Sequence, residues 1–249
     1  MEAITSRKNP QVQHLKKLGV DRAYRDLCGE FLCDGVKLYE EALQSGAEIS
    51  LVATSAQGLT VPDTGRGILV PEDVLCSISP QVSPQSIVFA CRQLEIISPP
   101  DPKCVLILDG IQDPGNVGGL IRTAHAFGAD QVILTGATAD LYHPRTVRGA
   151  MGALFRQAVC VMDLNEIKDY VNQHDLTLLG AALSDGGRVA GEDMPSRVAF
   201  AIGSEGRGLS PELLAACHDT VRIPMADTES LNAGVAGAIL LWEVYRRDL

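Results

Sequence analysis

The sequence predicts an α/β protein in two parts, and three observations carry that reading. Four continuous apolar runs, CVLILD, QVILTG, LTLLGAAL and VAFAIG, lie in the second half of the chain. They do not alternate with polar residues, as expected for strands of a parallel sheet buried on both faces. Strand-like runs at 105–108, 198–202 and 221–223 each break into a glycine-rich or polar loop that opens a helix. That arrangement is how α/β proteins build ligand sites. Between residues 96 and 103 the three prolines of IISPPDPK interrupt all periodicity, which places a linker there.

The elements follow in order. In a first domain, 1–95, Val12, Leu15 and Leu18 recur at helical spacing within a stretch running from residue 11 to about 27. EFLCDG reads as a short strand and turn, and VKLYEEALQSG as a helix ended by Gly46. ISLVAT and SIVFACRQ read as strands, with VPEDVLCSIS as a short helix between them. In a second domain, 104–249, helices fall at about 117–127, 164–173, 211–217 and 231–247 between the four apolar runs.

Composition bounds the function. The chain has 249 residues, of which 46% are hydrophobic, enough for a substantial core. No run approaches the 18 to 20 apolar residues of a membrane span, and MEAITSRKNP lacks the apolar segment of a secretory signal. The seven cysteines are scattered, and Cys28 and Cys33 have no second pair or nearby histidines to complete a zinc site. Buried thiols in a reducing cytoplasm, without a metal, are the expectation. The net charge of −10 argues against an extended basic nucleic-acid surface. Charge is uneven, however: Arg7, Lys8, Lys16, Lys17, Arg22 and Arg25 crowd the first segment. They form either a local RNA-binding patch or the solvated face of a helix.

Three loops carry the chemistry. The first, DGIQDPGNVGGLIR, is neither a P-loop nor a GxGxxG turn followed by an acid, which disfavours a nicotinamide dehydrogenase. Gly118 and Gly119 allow close backbone approach. Arg122 reads either as a five-donor fork for a phosphate or carboxylate, or as a surface arginine early in a helix. The second loop runs from Gly203 to Gly208 and includes Glu205, Gly206 and Arg207; Ser210 and Pro211 then read as a helix start. The third passes Ile223 and Pro224, then a polar stretch to Ser230, Leu231 and Asn232. The helix it opens begins with small residues, Ala233, Gly234, Ala236, Gly237 and Ala238. Such a helix front suits close core packing or a dimer interface.

Together these loops resemble the three signature motifs of the SpoU/TrmH family of RNA ribose 2′-O-methyltransferases, in the knotted SPOUT superfamily. The first motif matches at Asn116, Gly118, Arg122, Thr123, Ala124, Phe127 and Gly128. The second matches at Gly203, Glu205, Gly206, Gly208 and Leu209, and the third at Ile223, Pro224, Met225, Ser230, Leu231 and Asn232. The resemblance covers residues 104–249 and includes YHPRTVRGAMGAL, at 142–154, between the first two motifs. One stretch departs: where the family often continues Val-Ser-Val-Ala, this chain has Ala233, Gly234, Val235 and Ala236, without the second hydroxyl. The first domain is similar to the small ribosomal-protein-like α/β domain with which many members hold RNA.

The resemblance implies a parallel-sheet domain with a deep trefoil knot, S-adenosylmethionine as cofactor and a homodimer whose site the partner completes. It implies that backbone groups of Gly203, Ile223 and Leu231 hold the cofactor. It assigns the catalytic role to Arg122, with Asn116, Ser230 and Asn232 orienting the ribose and Glu205 ordering its loop. A guanidinium stays protonated at ordinary pH, so Arg122 is expected to bind phosphate and stabilise the developing alkoxide rather than act as a base. Ribosomal RNA is the expected substrate. A transfer-RNA methyltransferase and a non-catalytic RNA-binding or ribosome-assembly protein are the alternatives.

Overall fold

A two-residue strand, β1 (Glu2–Ala3), leads to helix α1 (Pro10–Val20), which starts where the Asn9 side chain accepts from the Gln11 amide at 2.8 Å. The stretch from 11 to about 27, read from its helical spacing, forms two helices. Asp21 is extended, and its carboxylate caps α2 (Arg22–Cys28) by accepting from Tyr24 N at 3.1 Å. The chain continues through β2 (Glu30–Asp34), α3 (Val36–Ser45), β3 (Ile49–Thr54), β4 (Arg66–Leu69), α4 (Glu72–Ile78) and β5 (Ile87–Arg92). The computed structural model describes all residues except 57–65, 82–84, 96, 183–186, 192–193 and 227–229.

These strands form a sheet in the order β1-β4-β3-β5-β2, with β5 antiparallel to both its neighbours and the other pairs parallel. Val12, Leu15 and Leu18 of α1 are fully buried with Val74, Leu75 and Ile78 of α4 in the core beside it. The helical spacing of those three residues is thus the stripe that docks the helix.

The second half runs β6 (Cys104–Asp109), α5 (Pro114–Ala126), β7 (Gln131–Thr135), α6 (Pro144–Ala150), a 3-10 turn (Met151–Phe155) and β8 (Val159–Val161). It continues with α7 (Leu164–Gln173), β9 (Thr177–Ala181), β10 (Arg188–Val189), β11 (Val198–Gly203), α8 (Pro211–Ala216), β12 (Asp219–Arg222) and α9 (Ala233–Tyr245). A seven-stranded sheet in the order β10-β12-β9-β11-β6-β7-β8 is parallel throughout. The four apolar runs are β6, β7, β9 and β11. Every residue of β6 and β7 is buried, as continuous rather than alternating hydrophobicity requires. Helix α9 packs on α5, where Gly237 leaves room for Leu120; a Cβ there would overlap that side chain. At Gly237 the small front of α9 therefore serves core packing.

The chain divides into two compact units, Met1–Glu95 with Asp140–Phe155, and Ile96–Ala139 with Arg156–Leu249. The segment with α6, grouped by its sequence with the second domain, packs into the first. Tyr142 stacks on Phe31 with centroids 4.6 Å apart, and its hydroxyl accepts from Leu94 N at 3.0 Å. Arg25, grouped by sequence with the basic face, is instead buried. Its guanidinium reaches Asp140 Oδ2 at 2.6 Å and the Leu18 carbonyl at 2.7 Å, with side-chain exposures of 3% for Arg25 and 13% for Asp140.

Removing one partner of a buried ion pair strands the other charge. Arg25→Ala is expected to cost about 3 kcal/mol in urea unfolding, and Arg25→Met with Asp140→Leu to recover most of it. Equal stability of Arg25→Ala and wild type contradicts this reading.

Candidate functional site

Strands β6, β7 and β11 end in register, with Asp109 opposite Gly203 on one side and Thr135 on the other. Their loops therefore leave from one edge, the carboxyl edge where open α/β sheets bind ligands. The loop after β6 is shorter than its sequence suggests. Pro114 fits the first helical turn, and the Asp113 side chain caps α5 by accepting from Asn116 N at 3.1 Å. Helix α5 thus starts three residues before Val117, and Asn116 lies in its first turn.

The loop after β11 closes on itself. Ser204 N donates to Gly208 O at 3.1 Å and Gly208 N to Ser204 O at 2.8 Å. A Cβ on Gly203 would overlap the Gly208 backbone, so only glycine permits this closure. Ser210 N donates to Asp109 Oδ2 at 2.6 Å, tying the end of β6 to the start of α8. Asp109 is buried, a tether that the sequence signals only as a carboxylate ending an apolar run.

In the third loop, residues 227–229 of the polar stretch lie outside the described residues. Its far end is ordered by Asn232, whose Oδ1 accepts from Gly234 N at 2.9 Å and Val235 N at 3.4 Å as the cap of α9. Gly234, where the family often has a residue with a Cβ, offers its amide to this cap. A Cβ there would stand 3.0 Å from Asn232 Oδ1.

The three loops meet at one carboxylate. Glu205 Oε1 accepts from Asn116 Nδ2 in a short hydrogen bond and from Asn232 Nδ2 at 3.3 Å; Asn232 Nδ2 also lies 3.5 Å from Asn116 Oδ1. A carboxylate only accepts, so it dictates that both amides turn their NH2 groups inward. Beside this cluster lies a cavity of about 370 Å³. Gly203, Glu205, Ile223, Ser230 and Leu231 line it; Asn116 and Asn232 join it through Glu205. Leu209 of the second motif adds an apolar wall, as do Leu214 and Val221, which the motif reading did not single out. Arg122 is not among the lining residues. It lies exposed on α5 and, among the described residues, makes no hydrogen bond or ion pair. Six residues separate it from Asn116, which turns it about 120° around the helix.

The cavity lies in the range of small-molecule sites. Its apolar walls suit a planar heteroaromatic ring, and the glycine-rich turns offer backbone groups for polar ring edges. This is a fit for the nucleoside of S-adenosylmethionine.

The parallel sheet whose three interrupted loops close on such a cavity, with two asparagines and a glutamate at its rim, is that of an RNA 2′-O-methyltransferase, as comparison with known proteins shows. The chain belongs to the SpoU rRNA methylase family, whose model matches residues 103–242. Residues 9–89 match the MRM3-like substrate binding domain. The chain is 33% identical over 250 residues to the 23S rRNA (guanosine(2553)-2′-O)-methyltransferase RlmP of Bacillus subtilis, covering 98% of this chain and 99% of that one. It is 30% identical over 266 residues to the 23S rRNA (uridine(2479)-2′-O)-methyltransferase of Streptomyces viridochromogenes, covering 99% and 92%. Among solved structures, the S-adenosylmethionine-bound rRNA methyltransferase of Sinorhizobium meliloti superposes with a TM-score of 0.88 at 29% identity, covering 100% of this chain and 98% of that one.

Gly203→Ala is expected to weaken S-adenosylmethionine binding by at least about tenfold in calorimetric titration, because the overlap is with backbone that cannot rotate away. Gly206→Ala, at a position with open space around it, serves as the control and should bind normally. Unchanged binding by Gly203→Ala contradicts the close approach of the two backbones.

Proposed function

We propose that this chain transfers the methyl group of S-adenosylmethionine to a ribose 2′-hydroxyl of ribosomal RNA. The observation that carries the reading is the convergence of Asn116, Glu205 and Asn232 on the cavity formed by Gly203, Ile223 and Leu231. The names of the two relatives, both 23S rRNA 2′-O-methyltransferases, support ribosomal RNA over transfer RNA.

Bound in the cavity, the cofactor supplies an electrophilic methyl on a sulfonium. Backbone groups of Gly203, Ile223 and Leu231 hold its adenine and methionine parts, with the loops closed over it as the SPOUT trefoil knot. Asn116, Ser230 and Asn232 orient the ribose, and Glu205 keeps the two amides in place. Arg122, with no partner among the described residues, is available to bind an RNA phosphate and to stabilise the alkoxide as the 2′-hydroxyl gives its proton to water and its oxygen displaces the thioether from the methyl group. The first unit holds the RNA. A homodimer is part of the proposal: Val235, Trp242 and Tyr245 leave apolar surface exposed on α9, and Phe127 packs against both rings. All seven cysteines are unpaired, which supports a reducing, cytoplasmic setting. Among the described residues no helix is long and apolar enough to cross a membrane.

Arg122→Ala should lower single-turnover methylation by roughly 100-fold while leaving cofactor affinity within about twofold, and Arg122→Lys should restore only part of the rate. Near-wild-type rates in both variants would remove any catalytic role for Arg122. Mapping ribose methylation across cellular RNA, with and without the chain, tests the substrate. Loss at one ribosomal nucleotide is expected; loss at a transfer-RNA position, or no loss, contradicts the proposal.

A further inference from the structure

The cavity formed by Gly203, Ile223 and Leu231 has two charged wall residues among the described residues, Glu205 and Arg207. The proposed methyl transfer uses the first and gives the second no task. Both sit on the three-residue tip of one loop, whose base Ser204 and Gly208 close through backbone hydrogen bonds of 2.8 and 3.1 Å. Gly208 takes a φ of +67°, a left-handed turn that suits glycine. The tip is held again at Glu205 by the amides of Asn116 and Asn232. The backbone of Arg207 is therefore anchored beside the cavity.

The side chain of Arg207 is uncommitted. It is exposed, and among the described residues it makes no hydrogen bond or ion pair, not even with Glu205 two positions away. All five N–H donors of its guanidinium are open to a ligand. S-adenosylmethionine brings one anion to the cavity, an α-carboxylate that is ionised at neutral pH. The backbone groups of Gly203, Ile223 and Leu231 are neutral, and apolar side chains make up most of the remaining wall. A planar guanidinium meets a carboxylate with two parallel hydrogen bonds. The two arginines left without partners in these loops differ in place: Arg122 is not among the lining residues and Arg207 is. The RNA phosphate suits the first, the cofactor carboxylate the second.

We propose that Arg207 is a specificity residue for the cofactor and that its guanidinium holds the α-carboxylate of S-adenosylmethionine. This rests on S-adenosylmethionine being the cofactor and adds which group selects its amino-acid end. Methyl transfer leaves the carboxylate unchanged, so the contact is as strong in the transition state as in the ground state. Such uniform binding lowers KM for the cofactor and leaves kcat alone. Arg207 is thus a binding residue and takes no part in the chemistry.

Calorimetric titration of the full chain with S-adenosylmethionine and with decarboxylated S-adenosylmethionine tests the contact, because the two ligands differ only in the carboxylate. Arg207→Ala is expected to weaken S-adenosylmethionine about fivefold, the upper range for an ion pair that solvent still reaches, and to leave the decarboxylated ligand within about twofold. Arg207→Lys keeps the charge without the fork and should recover part of the loss. In steady-state RNA methylation, Arg207→Ala should raise KM for S-adenosylmethionine by about the same factor with kcat unchanged. Unchanged affinity of Arg207→Ala for S-adenosylmethionine overturns the assignment. Equal weakening of both ligands also overturns it, since that marks a disturbed loop rather than a lost carboxylate contact. Absence of S-adenosylmethionine binding by the folded wild type overturns the cofactor reading together with it.

Discussion

One carboxylate holds this site together. Glu205 projects from a loop that closes on itself after β11, and its Oε1 gathers amide donors from the two other loops. Each asparagine is also bound to its own helix. Asn232 caps α9 through its side-chain oxygen, and the backbone N–H of Asn116 is the donor that Asp113 caps at the head of α5. Two helix starts and one strand end are thus coupled through three polar side chains. The cluster is exposed, so solvent screens its hydrogen bonds. Its importance is geometric: it sets which way two amides face at the rim of a cavity.

The sheet makes that convergence possible. Parallel strands deliver their carboxyl ends to one edge, and the in-register ends at Asp109, Thr135 and Gly203 put successive loops within reach of one another. The contact between Asp109 and Ser210 and the close approach at Gly203 then remove the freedom a strand-to-helix loop would otherwise have. The N-terminal unit takes a different course. Its mixed sheet is small, and part of what stabilises it arrives from far along the chain: Asp140 and Tyr142 supply the partners of Arg25 and Phe31.

Much of the fold is legible in the residues themselves. The long apolar runs are the central strands, and the pattern at 164–173 is helix α7, which opens with a capping box at Asp163 and Glu166. Elements of two to four residues, such as β1, β4, β8 and β10, are too short to show a period. The break at Asp21 is marked locally by Gly19, Val20 and Asp21, weak helix formers of which the last is a capping residue, but the basic residues on both sides of it read as one charged stretch. Arg25 looks like one more surface cation, since its partner lies 115 residues away. For the site, local pattern reveals three unusual loops but not that they meet. Their register within family motifs points to Asn116, Glu205 and Asn232 as one group. The exposed position of Arg122 relative to the cavity follows only from where α5 begins.

The central claim is that Glu205 makes the three loops one unit, and a mutant cycle on cofactor affinity measures it directly. Asn116→Ala and Asn232→Ala should each weaken S-adenosylmethionine binding by roughly fivefold, although neither side chain lines the cavity. In a Glu205→Ala background, Asn116→Ala should add almost nothing, and Asn232→Ala only the part that comes from its cap of α9. Full additivity, with each asparagine costing as much in the absence of Glu205 as in its presence, would contradict the account.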